Sequence, residues 1–207
     1  MLPRLQAIVD ADVARAAGWT PVDLARAYLD GGARFLQIRA KAAPSGALLD
    51  LCDRVVALGR EAGALVIVND RVDLARLSGA SGVHVGQEDI AVADAWSLLG
   101  PEAVIGTSTH NLAQVREALA QPVTYVASGP VFGTRTKDTG YNAVGLTLVS
   151  QTAALCHGRP VVAIGGITLE RAPSVIAAGA ACVAVISDLL ERGDPAERVK
   201  TFCRALE

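Results

Sequence analysis

Residues 64–89 read Ala64-Leu65-Val66-Ile67-Val68-Asn69-Asp70-Arg71, then Val72-Asp73-Leu74-Ala75-Arg76-Leu77, then, past Ser78-Gly79-Ala80-Ser81, Gly82-Val83-His84-Val85-Gly86-Gln87-Glu88-Asp89. The opening run is apolar without alternation, which suits a strand covered on both faces by helices in a parallel sheet. A polar Asn-Asp-Arg ends that run, a short helical pattern follows, and a second apolar run closes in another polar cluster. The stretch is one strand–helix unit running into the next strand.

The chain repeats this unit from end to end. Strand candidates fall at residues 5–9, 35–38, 64–68, 82–85, 103–105, 123–127, 161–164 and 182–186, and helical patterns at 21–29, 45–61, 72–77, 91–98, 112–119, 146–155, 169–178 and 195–206. Eight such pairs in 207 residues predict an α/β fold, a single (β/α)8 TIM barrel occupying 1–207, because an open doubly wound sheet usually needs fewer units. Thr20 before Pro21, Asn111, and Asp194 before Pro195 predict helix caps. Gly31, Gly63, Gly100, Gly158 and Gly179 fall where helices end, and each is expected to supply a left-handed residue there.

Composition narrows the function. A formal net charge of −2 gives no overall electrostatic reason to bind nucleic acid or a membrane surface. The apolar runs last only about five to eight residues, too few to span a bilayer. The first residues lack a secretory pattern, and Cys52, Cys156, Cys182 and Cys203 have neither zinc-ribbon nor disulfide spacing. A cytoplasmic location with buried thiols is expected. The oligomeric state stays open, a homo-oligomer included.

A barrel of this kind places its chemistry at the carboxyl ends of the strands, and polar residues recur there. Strand two ends in Gln37-Ile38-Arg39-Ala40-Lys41, strand three in Asn69-Asp70-Arg71, strand four in His84 to Asp89, and strand five in Gly106-Thr107-Ser108-Thr109-His110. After strand six comes Gly129-Pro130-Val131-Phe132-Gly133-Thr134-Arg135-Thr136-Lys137, where glycines, hydroxyls and cations together suit a phosphate. It matches neither the Walker nor the dinucleotide pattern, and a plain turn is the alternative reading. Gly165-Gly166-Ile167 and Ile186-Ser187 stand where barrels commonly hold a further phosphate, or form tight turns.

Asp70 and Asp89, about one unit apart, are candidates for a Mg²⁺–diphosphate site, the alternative being that each caps the helix after it. Arg39, Lys41 and Lys137 would bring positive charge to the same mouth. Gln37 would point into the upper layer and hydrogen-bond a heteroaromatic ring, and His84 would line the substrate. His110 is expected to orient its loop, and His157 to lie at the surface.

Taken in order, Gln37-x-Arg39-x-Lys41, Asn69-Asp70-Arg71, residues 82–89, Gly106-Thr107-Ser108-Thr109-His110, Gly129-Pro130-Val131-Phe132 with Thr134-x-Thr136-Lys137, and Ala163-Ile164-Gly165-Gly166-Ile167 resemble the thiamine-phosphate synthase family across nearly the whole chain. The resemblance implies a transferase joining a hydroxymethylpyrimidine diphosphate to a thiazole phosphate, with release of diphosphate. It implies Mg²⁺ on Asp70 and Asp89; diphosphate on Arg39, Lys41, Asn69, Ser108 and Lys137, with Lys41, Ser108 and Lys137 catalytic; and pyrimidine on Gln37 and His84. It also implies thiazole phosphate beside Thr134, Thr136, Gly166, Ile186 and Ser187. Ala40 and Gln6 depart from the family pattern, Gln6 standing where an aromatic is often found. The readings weighed against this one are a thiazole tautomerase paralogue, a non-catalytic phosphometabolite-binding barrel and a sugar-phosphate isomerase. Lys41, Asp70, Asp89 and Lys137 together favour the synthase.

Overall fold

The computed structural model describes residues 2–133, 142–191 and 193–207. Its strands are β1 (Leu5–Asp10), β2 (Phe35–Arg39), β3 (Leu65–Asn69), β4 (Gly82–Val85), β5 (Val104–Thr109), β6 (Tyr125–Ser128), β7 (Val161–Ile164) and β8 (Cys182–Val185). They pair in parallel in chain order, and β8 closes on β1. The (β/α)8 barrel read from the repeat is thus the fold. The helices are α1 (Ala11–Ala16), α2 (Pro21–Asp30), α3 (Ser45–Glu61), α4 (Val72–Ser78), α5 (Val92–Leu99), α6 (Leu112–Leu119), α7 (Gly145–Cys156), α8 (Ala172–Ala177) and α9 (Pro195–Ala205). Among the described residues no helix is long and apolar enough to cross a membrane.

Alternate strand residues serve two separate cores, as a pleated strand requires. Ala7, Val9, Leu36, Ile38, Val66, Val68, Val83 and Val85 pack outward under the helices. Ile8, Phe35, Ile67, Tyr125, Ala127, Val162, Cys182 and Ala184 fill the interior. Phe35 meets Tyr125 edge to face at 6.0 Å. A Cβ at Gly106 would fall 1.9 Å from the Tyr125 ring, so glycine on β5 is what lets that ring cross the barrel.

Three expected caps form: the side chains of Thr20, Asn111 and Asp194 accept from the amides of Asp23, Gln114 and Ala196. Other expectations need correction. α1 was not predicted; it begins directly after β1 because the Asp10 carboxylate accepts from the amides of Asp12 and Val13, each at 3.1 Å. α8 starts at Ala172, three residues later than the pattern suggests, since Pro173 has no N–H and belongs in a first turn. Gly31 is not left-handed, with φ −70. It is glycine because a Cβ there would lie 2.4 Å from the Ala196 carbonyl oxygen of α9.

Candidate active site

The carboxyl ends of the strands surround a cavity of about 510 Å³, the size of a small-molecule site. Of the residues singled out from the sequence, Gln37, Arg39, Asn69, His84, Ser108, Gly166, Ile186 and Ser187 line it. Lys41, Asp70 and Asp89 do not line it. They stand beside it, on the segments that continue from Arg39, Asn69 and β4. Thr134, Thr136 and Lys137 lie outside the described residues.

Asp70 and Asp89 come within hydrogen-bonding reach of one another, and the Lys41 ammonium lies 3.4 Å from Asp70. The capping alternative is excluded for both: α4 and α5 start without a side-chain cap. The Asp89 carboxylate instead accepts from the Gly86 amide at 2.7 Å, which fixes it toward Asp70. Asp70 itself has φ 63, an uncommon conformation for a residue other than glycine. Burial, and next the adjoining Asp89, hold the Asp70 carboxyl above the ordinary carboxylate range, with Lys41 opposing them. Two carboxylates pressed together in this way are short of positive charge.

Arg39 enters the cavity already ion-paired with Asp10, which is 2% exposed. Asp10 therefore does two things at once: it caps α1 with one oxygen and holds the Arg39 guanidinium with the other. The sequence reading missed it, although a lone acid at the end of an apolar first strand was the available signal.

Deeper in the barrel, His84 joins Tyr125 and Ser108 through its two ring nitrogens, Nδ1 to the Tyr125 hydroxyl at 2.9 Å and Nε2 to Ser108 Oγ at 2.8 Å. Burial raises the Tyr125 phenol well above its ordinary value, so it stays protonated. When it donates to Nδ1, the imidazole carries its proton on Nε2 and donates to Ser108, whose hydroxyl proton is then available to the cavity. Ser108 thus partners His84, across the β4–β5 register, and not His110, two residues on. His110 holds its loop as expected, its Nδ1 donating to the Gly129 carbonyl at 2.6 Å.

On the opposite wall the loops after β6 and β7 are joined. Val131 N donates to Ile164 O at 2.8 Å and Phe132 N to Gly165 O at 3.0 Å. Gly166 has φ 60, and a Cβ there would lie 2.5 Å from the Gly133 carbonyl oxygen, so close packing alone demands glycine. Arg171, also unforeseen, lines the cavity, donates to Gly166 O at 2.9 Å and lies 4.7 Å from the centre of the Phe132 ring.

Comparison with known proteins supplies the remaining observation. The family described as thiamine monophosphate synthase matches residues 5–189. The chain belongs to the thiamine monophosphate synthase family. A thiamine-phosphate synthase of Anaeromyxobacter dehalogenans is 47% identical over 86% of this chain and 79% of its own length. One from Roseiflexus castenholzii is 40% identical over 91% and 83%. The solved thiamine phosphate pyrophosphorylase from Pyrococcus furiosus superposes with a TM-score of 0.89 at 30% identity, covering 98% of this chain and 95% of that one. Thiamine-phosphate synthase is accordingly the enzymatic function of this chain, as the sequence motifs implied. The stretches that carried the resemblance meet in the cavity, through Gln37, Asn69, His84, Ser108, Gly129 and Gly166 among others.

Proposed function

We propose that the cavity joins a hydroxymethylpyrimidine diphosphate to a thiazole phosphate, with Mg²⁺ held by Asp70 and Asp89. The observation that carries this reading is the Asp70–Asp89 pair beside Lys41, at the edge of a cavity lined by Gln37, His84 and Ser108. The pair fits the metal on its own chemistry. Both ligands are hard oxygens, and burial and the adjoining Asp89 raise the Asp70 carboxyl above the ordinary carboxylate range, a cost of charge that a divalent cation would relieve. Among the described residues no three acidic, histidine or cysteine side chains form a cage, which suits a cation that keeps water and substrate oxygens in its shell.

When bound, Mg²⁺ would neutralise diphosphate oxygens and so favour their departure. Lys41 and Arg39 add positive charge on the same side, Lys41 beside Asp70 and Arg39 fixed by Asp10. The methylene carbon–oxygen bond breaks with its electron pair leaving on diphosphate, and the electron-rich aminopyrimidine stabilises the methylene cation. Gln37, 4% exposed and inward-facing, holds the pyrimidine, while Ser108, fixed by His84, offers its proton to the leaving group. The thiazole nitrogen lone pair then forms the carbon–nitrogen bond. Gly166, Ile186 and Ser187 receive the thiazole phosphate at the β7–β8 side; the phosphate-binding roles expected of Thr134, Thr136 and Lys137 fall on residues outside those described. Positioning and electrostatic stabilisation supply the catalysis, with no nucleophile–base pair required.

Purified protein given both phosphorylated precursors and Mg²⁺ should form thiamine phosphate, detected by oxidation to its fluorescent product. Omitting either precursor should abolish the signal. Conversion of the thiazole phosphate alone, with no coupled product, would replace this reading by the tautomerase.

A further inference from the structure

The turn that leaves β8, Ser187–Leu189, carries a buried acid beside the place proposed for the thiazole phosphate. Asp188 is 5% exposed and lines the cavity next to Ile186 and Ser187. Its Oδ2 accepts from Leu169 N at 3.2 Å, which ties this turn to the segment after β7. The same oxygen accepts from Arg198 on α9, from Nη2 at 2.7 Å and Nε at 3.2 Å, and Nε also donates to the Asp188 carbonyl oxygen at 3.2 Å. The Arg198 side chain is 12% exposed and does not line the cavity.

Among the described residues, the charged side chains that the segments after β7 and β8 give to the cavity are Arg171, Asp188 and Glu191. Two carboxylates against one guanidinium make a poor wall for an anion, and a charge away from bulk water repels its like more strongly than one in water. Resting on the function proposed above, we infer that Arg198 is a positioning residue for the thiazole phosphate. From behind the cavity wall it cancels the Asp188 charge and, through two donors on the side chain and carbonyl of Asp188, holds the turn that presents Ser187.

Steady-state kinetics with both precursors and Mg²⁺ compare Arg198→Gln, Asp188→Asn and the double variant, each checked for folding by thermal melting. Arg198→Gln leaves the Asp188 charge unbalanced, so the KM for thiazole phosphate should rise by about tenfold, while the KM for the pyrimidine diphosphate should not move. Added salt should bring that KM closer to the parental one, because it screens the repulsion. Asp188→Asn keeps an oxygen to accept from Leu169 N but loses the charge, so it should lower the thiazole phosphate KM by about threefold. In the double variant, neutral at both positions, the KM should return toward the parental value. A purely structural ion pair would raise this KM in both single variants, without rescue in the double and without a salt effect, and that result would overturn the inference. If Arg198→Gln does not fold, Asp188→Asn decides alone, a raised KM overturning the inference. A parent protein that forms no thiamine phosphate would overturn the functional reading itself, whereas an active parent with unaffected variants would overturn only the role of Arg198.

Discussion

Asp70 sits in a setting that disfavours a carboxylate's charge. In the unfolded chain it titrates in the ordinary range; in the fold it keeps its proton to higher pH, first through burial and then through Asp89. The folded metal-free protein therefore binds this proton more tightly. The contribution is present at low pH and is lost as pH rises through the raised Asp70 value. Asp89→Asn removes the neighbouring charge but keeps an oxygen to accept from Gly86 N. In chelator at neutral pH this variant should melt no lower than the parent, and the stabilisation that added Mg²⁺ gives the parent should be missing from it. Thermal melting with and without Mg²⁺ checks both, and a lower melting temperature with an intact Mg²⁺ response would refute them. Tyr125 offers a second case. Tyr125→Phe leaves the packing against Phe35 but withdraws the hydroxyl from His84 Nδ1. A loss of about 1–3 kcal/mol in denaturant unfolding is expected, with slower turnover because the His84 that fixes Ser108 loses its own anchor.

Elements are placed by contacts that single residues must allow. Gly31 ends α2 in an ordinary helical conformation, and its missing side chain lets α9 come against it. Gly31→Ala should cost about 1–3 kcal/mol by overpacking, while kcat and KM stay at parental values because the α2–α9 contact lies away from the strand ends; altered kinetics at unchanged stability would contradict this. The sequence made the strands legible, since runs such as Leu65-Val66-Ile67-Val68 are apolar on both faces and only a covered parallel strand needs that. α1 was not legible: six residues, Ala11–Ala16, carry too little periodicity, and the start depends on where the Asp10 side chain turns. Nor could spacing show that Gly31 answers to α9, some 165 residues later, instead of to its own helix end.

At the scale of the molecule, barrel closure is what brings separated residues to one rim. The strand-end positions of the candidate site followed from the repeat, so Gln37, Asn69, His84 and Ser108 could be assigned to one mouth before any coordinates. Their partners could not, because His84 reaches Tyr125 across 41 residues and Arg39 reaches Asp10 across 29. Strand order predicts neighbours, whereas side-chain reach and a glycine such as Gly106 decide who touches whom. The central claim is that Asp70 and Asp89 hold the cation that lets diphosphate leave. Single-turnover formation of thiamine phosphate by Asp70→Ala, followed across a Mg²⁺ titration with folding confirmed by circular dichroism, tests it most directly. The account predicts a rate lower by at least about 100-fold, the scale of losing one electrostatic stabiliser, with little remaining Mg²⁺ dependence. A folded Asp70→Ala protein turning over at the parental rate, with the parental Mg²⁺ dependence, would contradict it.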